Sequence, residues 1–311
     1  MDARAPVRQI KKVWKHIPTI EGAGVHLKRA FGFHEVPQLD PFLLLDCFDS
    51  DNRDDYKRGF PWHPHRGIET ITYVLDGDVE HQDSLGNQGI IQRGDVQWMT
   101  AGSGIVHQEM PKGDAKGRMW GFQLWANLPK RQKMMDPRYR EVKQGEIPVV
   151  HTADGATVRI ICGTIGDVQG PVREIVTDPE YLDVSLPAGK MFTHSVKPSY
   201  TVFAYVVEGE AHCDPGRNPF DREAIGENYF DMQPSCVCKV GDIALYATAG
   251  DTVHVTTEKR PVRFLLVSGK PLKEPVAWYG PIVMNTKEEL QTAFEEFQAG
   301  TFIKGAALSQ K

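Results

Sequence analysis

The 311-residue chain has no apolar stretch that could cross a membrane. Its longest uninterrupted apolar runs, such as Val202 to Val207, are far shorter than the roughly 20 residues that a spanning helix needs. The basic residues near the N-terminus are not followed by an apolar segment, so we do not expect a secretory signal. The sequence therefore excludes the membrane and secreted classes from our expectations.

Concentrated positive charge is also missing. The formal net charge is −5, and Lys and Arg never form a run longer than three residues. Proteins that bind DNA or RNA neutralise the phosphate backbone with basic patches, so we expect no direct nucleic-acid binding. The negative balance suits protein partners better.

Cysteine is scarce. The five cysteines form an odd set without the spacing of a disulfide framework, at Cys47, Cys162, Cys213, Cys236 and Cys238. This usage is typical of a reducing compartment, so we expect free thiols and a cytoplasmic location, or a nuclear one if the chain is eukaryotic. A composition of 41% hydrophobic and 25% charged residues is ordinary for a globular protein.

Helical periodicity is weak until the end of the chain. There Thr286 and Glu289 form a capping box, apolar residues recur at helical spacing up to Phe297, and Gly300 supplies a stop. Elsewhere short β-branched segments alternate with Gly-containing turns, as in Ile68 to Leu75. The pattern predicts an all-β protein of antiparallel sandwiches or barrels with one C-terminal helix.

The chain repeats itself once. "RGDVQWMTAGSGIVHQ" at 93–108 matches "VGDIALYATAGDTVHV" at 240–255, and "YVLDGDVEH" at 73–81 matches "YVVEGEAH" at 205–212. The interval between the two matches spans 32 positions in the second copy, from Gly209 to Gly241, and 17 in the first. We therefore predict two similar β domains, residues 1–145 and residues 146–311, the second carrying an insertion and the C-terminal helix.

Two pairs of polar residues in the first copy point to a metal. Side chains at i and i+2 share one face of an extended chain, so His63 and His65 point together, as do His107 and Glu109. A lone pair of histidines at this spacing is usually a surface feature, but two such pairs in one repeat are not. Three imidazoles with a carboxylate suit Fe, Cu, Ni or Zn. Glu69, four residues after His65, is an equally acceptable carboxylate on spacing alone.

These segments resemble those of the pirin family of bicupins. "HPHRGIETITYVLDG" at 63–77 is similar to the first cupin motif, and "GDVQWMTAGSGIVHQEMP" at 94–111 to the pirin form of the second. "DPFLLLDCF" at 40–48, "GFQLWANLP" at 121–129 and "EPVAWYGPIVMNTKEEL" at 274–290 also look like pirin segments.

The resemblance implies two jelly-roll β-barrels, with metal in the N-terminal one. Its ligands would be His63, His65, His107 and Glu109, leaving Glu69 a supporting role. Iron(II) is the metal that the family suggests, while manganese, nickel, copper and zinc are alternatives.

The second copy does not repeat this set. Alignment through Tyr205 places Ser195, Lys197 and Thr201 opposite His63, His65 and Glu69. Alignment through His254 retains that histidine, places Thr256 opposite Glu109, and leaves His194 one residue out of register. We expect no metal in the C-terminal barrel and a buried, hydrogen-bonded role for His254.

The insertion at 213–238 brings Cys213, Cys236 and Cys238 close to His212 in the sequence. A zinc clip is conceivable, but these spacings match no common zinc finger, and a long polar loop is our prediction.

The family resemblance implies two kinds of function. In a quercetin 2,3-dioxygenase, the metal would hold a flavonol that molecular oxygen cleaves, with Glu109 as ligand and general base. Apolar and aromatic residues near the motifs would line a flat pocket: Phe60, Trp62, Trp98, Met99 and Trp120. In a non-catalytic regulator, the oxidation state of the metal would alter a surface that binds protein partners. Such partners would be transcription-factor complexes or a metabolic enzyme. The complete ligand set disfavours a third alternative, a cupin isomerase or sugar-binding module. We favour the enzyme, and the sequence leaves the oligomeric state open.

Overall fold

The computed structural model describes residues 6–175, 177–224 and 234–304. Within them the first half of the chain forms β1 Ile10–Lys15, β2 Ile17–Glu21, β3 Val25–Phe31, β4 Phe42–Ser50, β5 Phe60–His65, β6 Ile68–Asp76, β7 Val79–Asp83, β8 Gln88–Ile91, β9 Val96–Thr100, β10 Ile105–Pro111, β11 Met119–Asn127, β12 Arg138–Val142 and β13 Val149–His151. The second half forms β14 Thr157–Cys162, β15 Thr164–Ile165, β16 Val168–Gln169, β17 Glu180–Leu186, β18 Met191–Ser195, β19 Thr201–His212, β20 Glu223–Ala224, β21 Val237–Lys239, β22 Asp242–Tyr246, β23 Thr252–Thr256, β24 Val262–Gly269, β25 Ala277–Tyr279, β26 Ile282–Met284 and the helix α1 Lys287–Gln298.

The chain divides into two compact units, and each is discontinuous in sequence. The first unit comprises Pro18–Gln144 and Leu272–Lys311, and the second comprises Met1–Ile17 and Gly145–Pro271. The domain limits 1–145 and 146–311 remain our prediction; in the structure each chain end packs with the unit formed mainly by the other half of the chain. The reason is packing: Val283 of β26 joins a core cluster with Leu43 and Ile68 in the first unit, while β1 pairs with β22 in the second.

The first unit consists of two facing antiparallel sheets. One has seven strands in the order β12-β9-β6-β11-β4-β3-β2, and the other has four in the order β5-β10-β7-β8. Apolar residues from both sheets meet in a core cluster that includes Val25, Val74, Val79 and Ile91. This arrangement confirms the jelly-roll architecture for this half of the molecule.

The passage from β5 to β6 depends on Gly67. Its φ is +78°, and a Cβ at this position would lie 2.0 Å from the Val283 carbonyl oxygen. Only glycine fits there, because an L side chain would be strained in this conformation and would also clash. The chain turns here from the four-stranded to the seven-stranded sheet.

The second unit is also antiparallel β-structure. Its main path runs β13-β14-β17-β24-β19-β22-β1-β20, with the last pair parallel, and β18, β21 and β23 extend it. The predicted helix is confirmed: Thr286 caps α1 and forms the capping box with Glu289. No helix in the described part of the chain is long and apolar enough to span a bilayer.

Candidate metal centre

Three histidine side chains converge in the first unit. His63 lies directly opposite His107 in the pairing of β5 with β10, and its Nε2 atom is 3.0 Å from Nε2 of His107 and 3.0 Å from Nε2 of His65. Two nitrogens that bind one cation at right angles through bonds of about 2.1 Å lie about 3.0 Å apart. The donor set and its spacing therefore fit a cation held on one face by three imidazoles.

Hydrogen bonds on the far side of two of the rings fix their orientation. The Nδ1 atom of His65 lies 3.0 Å from the Pro281 carbonyl oxygen, and Nδ1 of His63 lies 2.9 Å from that of Pro61. A carbonyl only accepts, so each Nδ1 carries the proton and donates it. Each Nε2 then keeps its lone pair for a metal.

Burial keeps His65 and His107 neutral. Both side chains are almost fully buried, and desolvation, reinforced by the neighbouring histidines, lowers the pKa of each well below its ordinary value. A neutral imidazole is the form that binds a metal.

Glu109 shares the inward face of β10 with His107, as the spacing predicts, but lies outside the three-histidine group. Its Oε1 accepts a hydrogen bond of 3.0 Å from the Thr72 hydroxyl, and its Oε2 accepts one of 2.8 Å from the Gln123 amide. The role of Glu109 as a fourth ligand remains a prediction.

Glu69, the alternative carboxylate, is directed elsewhere. It is buried, and its Oε1 accepts a 2.7 Å hydrogen bond from Thr100. Strand alternation puts it on the face of β6 opposite to Thr72, which contacts Glu109. The expectation that Glu69 shares a face with His65 assumed one continuous strand. The turn at Gly67 divides this segment into two strands, so the alternation of side chains does not continue from His65 to Glu69.

A cavity of about 670 Å³ opens beside His63 and His65. Its walls are mainly apolar and aromatic, and they include Phe33, Phe48, Phe60, Trp125, Trp278 and Tyr279. Of the five residues we expected to line a pocket, Phe60 does so. The other four are not part of the lining: Trp98 and Met99 are buried in the protein, Trp62 is exposed, and Trp120 stacks under Arg118.

One wall of this cavity is charged. Arg29 donates two hydrogen bonds of 2.9 and 2.8 Å to the Asp46 carboxylate and a third of 2.9 Å to Glu21. Two carboxylates share one guanidinium, so this wall carries a net negative charge with acceptor oxygens. Nothing in the spacing of these residues identified them beforehand.

A segment late in the chain contributes to the cavity beside the histidines. Besides the Pro281 carbonyl, residues 278–281 form part of the cavity wall. The buried Arg66 binds the residues that follow this segment: its guanidinium lies 2.7 Å from the Glu296 carboxylate and donates a 2.8 Å hydrogen bond to the carbonyl of Phe302. It donates a further 2.6 Å hydrogen bond to the carbonyl of Ser103. The sequence motifs did not predict that residues 278–281 would lie beside the histidines.

The second unit has a different interior. In its strand pairing Thr193 lies opposite His254 and Ser195 opposite Thr252, so a match of His254 with His107 would set Thr193 and Ser195 against His63 and His65. The alignment through Tyr205, which set Ser195 and Lys197 there, differs from this pairing by two positions. The connection from β18 to β19, residues 196–200, is longer than the connection from β5 to β6, which is residues 66–67.

The side chains that point inward from β18 and β23 also differ by one position from those that the alignment predicts. Phe192, Val253 and Val255 help to fill the core of this unit, and Nε2 of His194 donates a 3.0 Å hydrogen bond to the Glu180 carboxylate. His254 alternates to the other face and is half-buried, so the expectation of a buried histidine was wrong. A shift of one residue exchanges the two faces of a strand, which is why the alignment misplaced this side chain.

Part of the insertion at 213–238 is described. Cys213 and Cys238 are buried, and Cys236 Sγ lies 3.3 Å from Nδ1 of His212. Among the described residues the only group of three or more potential ligands close enough to share a metal is His63, His65 and His107. Residues 225–233 lie outside the described residues, and the loop there stays a prediction.

Comparisons with known proteins agree with these features. Residues 24–126 match the family model for pirin, and residues 181–303 match the model for the pirin C-terminal cupin domain. A pirin-like protein of Caulobacter vibrioides is 43% identical over 96% of this chain and 100% of its own length. A Pseudomonas aeruginosa protein that is provisionally named a quercetin 2,3-dioxygenase is 40% identical over 91% of this chain and 94% of its own.

A solved structure gives the same result. The quercetin 2,3-dioxygenase of Acinetobacter baumannii superposes with a TM-score of 0.79 at 29% identity, covering 96% of this chain and 99% of its own.

Proposed function

The chain belongs to the pirin family, and from that premise we propose that it is a metal-dependent oxygenase of the quercetin 2,3-dioxygenase type, which cleaves flavonols with molecular oxygen. The observation that carries the proposal is the position of the three histidines beside an aromatic-walled cavity of about 670 Å³. This volume is within the range of about 300 to 1,000 Å³ that small-molecule sites occupy.

We assign His63, His65 and His107 as metal ligands, with Glu109 as the fourth. Iron(II) is our first choice, and manganese, nickel, copper or zinc would also suit three imidazoles and a carboxylate. Such an ion would supply a Lewis-acidic coordination site with open positions. The protein supplies neutral imidazoles, because burial lowers the pKa of His65 and His107.

The cavity selects flat, apolar ligands. Phe60 lies beside His63 and Trp125 beside His65, with ring centroids 6.4 and 5.0 Å apart, and a flavonol against such walls would be held by stacking and dispersion. Its hydroxyl groups would find acceptors on Asp46 and Glu21, whose oxygens already bind Arg29. The protein thus orients the substrate with apolar walls and fixes its rotation with a polar one.

Glu109 is our candidate general base. It would accept the proton of the flavonol 3-hydroxyl, and the resulting oxygen anion is the group that a Lewis-acidic ion held by the histidines would stabilise. Gln123 lines the cavity and also donates to the Glu109 carboxylate, so it lies between the substrate space and the base. Thr72 holds the other carboxylate oxygen.

Oxygen uptake by the iron-loaded protein with quercetin tests the proposal. We expect quercetin-dependent consumption of oxygen that is abolished in His107→Ala. His151→Ala is the matched control, because His151 is an exposed histidine of the second unit and its loss should not affect turnover.

One combination of results would contradict the enzyme proposal. If the protein holds one equivalent of iron and consumes no oxygen with quercetin or related flavonols, the enzyme proposal is wrong. The same ligands would then serve the alternative, a metal-sensing regulator that acts through protein partners.

A further inference from the structure

A third polar pair shares the sheet face that carries the ligand histidines. His81 and Asp83 lie two residues apart on β7, which pairs with β10 on the side away from β5. In this register Glu109 is opposite His81, and His107 is opposite Asp83. A third pair of polar residues, also two positions apart, therefore lies next to the two pairs that bear the proposed ligands.

Hydrogen-bonding groups in this region are buried without partners. In the part of the chain that the structure describes, Nδ1 of His107 and both ring nitrogens of His81 have no hydrogen-bond partner. His81 is 1% exposed and His107 is 0% exposed. Buried polar groups destabilise a fold when they are left unpaired, so a native protein retains them for a reason.

The rings are placed to pair with each other. The ring centroids of His81 and His107 are 5.4 Å apart. Two imidazoles joined by an N–H···N hydrogen bond have centroids about 5 Å apart, since the nitrogens are then about 2.9 Å apart. On the other side of the His81 ring, Nε2 lies 3.6 Å from Asp83 Oδ2, just beyond hydrogen-bond length.

Asp83 is itself held in place. Its Oδ1 accepts hydrogen bonds from the backbone of Leu85 and Asn87, and its Oδ2 accepts one of 2.8 Å from the Asn87 side chain. Tyr139 stacks on His81 with centroids 5.1 Å apart and an interplanar angle of 19°. The carboxylate and the tyrosine ring together restrict His81 to one orientation.

From this geometry, and resting on the metal centre of the proposed function, we infer that His81 is a positioning residue that holds His107 for the cation through an Asp83–His81–His107 chain of hydrogen bonds. In that chain Nε2–H of His81 would donate to Asp83 and Nδ1 of His81 would accept from Nδ1–H of His107, which would leave Nε2 of His107 to the cation. Metal binding would make Nδ1–H of His107 a stronger donor and so strengthen the chain.

Zinc binding and histidine NMR test the inference, with zinc as a diamagnetic probe. We expect His81→Leu to weaken zinc binding by about 10- to 100-fold in a chelator competition, as outer-sphere substitutions do. In the zinc-loaded, ¹⁵N-histidine-labelled protein, the wild type should show a slowly exchanging His107 Nδ1 proton that His81→Leu loses.

Two further variants separate this role from simple packing. His81→Gln can still accept and donate and should recover part of the affinity. Tyr139→Phe keeps the stacked ring and should bind zinc within about twofold of wild type. Because the His81 nitrogens have no partner in this structure, His81→Leu should leave the Tm of the metal-free protein nearly unchanged or raise it.

The outcomes distinguish the inference from the proposed function. Equal zinc affinity in wild type and His81→Leu, or a His107 Nδ1 proton that survives the substitution, overturns the inference and leaves the metal centre intact. No zinc binding by the wild type overturns both. Absence of oxygen uptake bears on the enzyme proposal alone.

Discussion

At the residue scale, His65 and His107 bind protons more weakly than free histidine because protein replaces the water around them. Burial, followed by the repulsion of neighbouring imidazoles, lowers their pKa well below the ordinary value. In the unfolded chain both would titrate near pH 6.5. The unfolded state therefore takes up protons first as the pH falls.

This difference predicts an acid-sensitive metal-free fold. Stability from these two groups is complete above about pH 6.5 and is lost as the pH falls below that value, with a slope of at most about 2.7 kcal/mol per pH unit. Urea unfolding between pH 7.5 and pH 5 measures it. His107→Leu should roughly halve the slope, and an unchanged slope in that variant would show that these histidines protonate within the folded protein.

Glu109 decides whether the site has three or four protein ligands. If its carboxylate binds the metal, Glu109→Gln should weaken zinc binding by at least about tenfold in a chelator competition, since an amide is a much poorer ligand. The fold should survive, because Thr72 and Gln123 can still bond to the new side chain.

Glu69→Gln is the matched control, for it changes another buried carboxylate of the same unit that hydrogen-bonds to Thr100. We expect its zinc affinity to equal that of wild type. The opposite ranking of the two variants would assign the carboxylate ligand to Glu69.

At the element scale, Arg66 connects the β5–β6 turn to the end of the chain. Its guanidinium is 2% exposed and pairs with Glu296 on α1 at 2.7 Å. The ring of Phe302 lies 4.2 Å from this cation and covers it. The helix is thereby fixed near the turn that follows His65.

Removing the anionic partner should loosen this attachment. We expect Glu296→Gln to lower the free energy of unfolding by about 1–3 kcal/mol, because the buried guanidinium loses its counter-charge. Thermal or urea unfolding provides the measurement. Glu295→Gln, an exposed neighbour on the same helix, should change stability by less than about 0.5 kcal/mol, and equal losses in both variants would refute the role of the ion pair.

At the scale of the whole molecule, the two units share an antiparallel β architecture, but the described residues of the second unit lack the three-histidine cluster of the first. The second unit fills the corresponding interior with Phe192, Val253 and Val255. We therefore predict one metal equivalent per chain. Elemental analysis should give this value for wild type and for His254→Ala, and close to zero for His63→Ala; two equivalents, or loss of metal in His254→Ala, would disagree.

Much of this arrangement follows from local sequence. Residue spacing was enough to place His63, His65, His107 and Glu109 on the inner faces of β5 and β10, and the capping box located α1. Such features depend on neighbours within a few residues, where alternation and capping rules apply.

Long-range features did not follow. The spacing of His81 and Asp83 is as regular as that of the other pairs, but only the pairing of β7 with β10 reveals their neighbour. Pro281 is 216 residues from His65, and no local pattern links them. In the second unit, the face of His254 depends on a register that the alignment could not specify.

The late position of Pro281 in the chain has a consequence for synthesis. While the ribosome is still translating the second unit, the imidazole of His65 has no carbonyl to hold its ring, and the cavity lacks the wall formed by residues 278–281. A nascent or prematurely terminated polypeptide thus offers metal an unfinished coordination site. Because that carbonyl orients the ring of His65, we expect full metal affinity only after residues 278–281 have been translated.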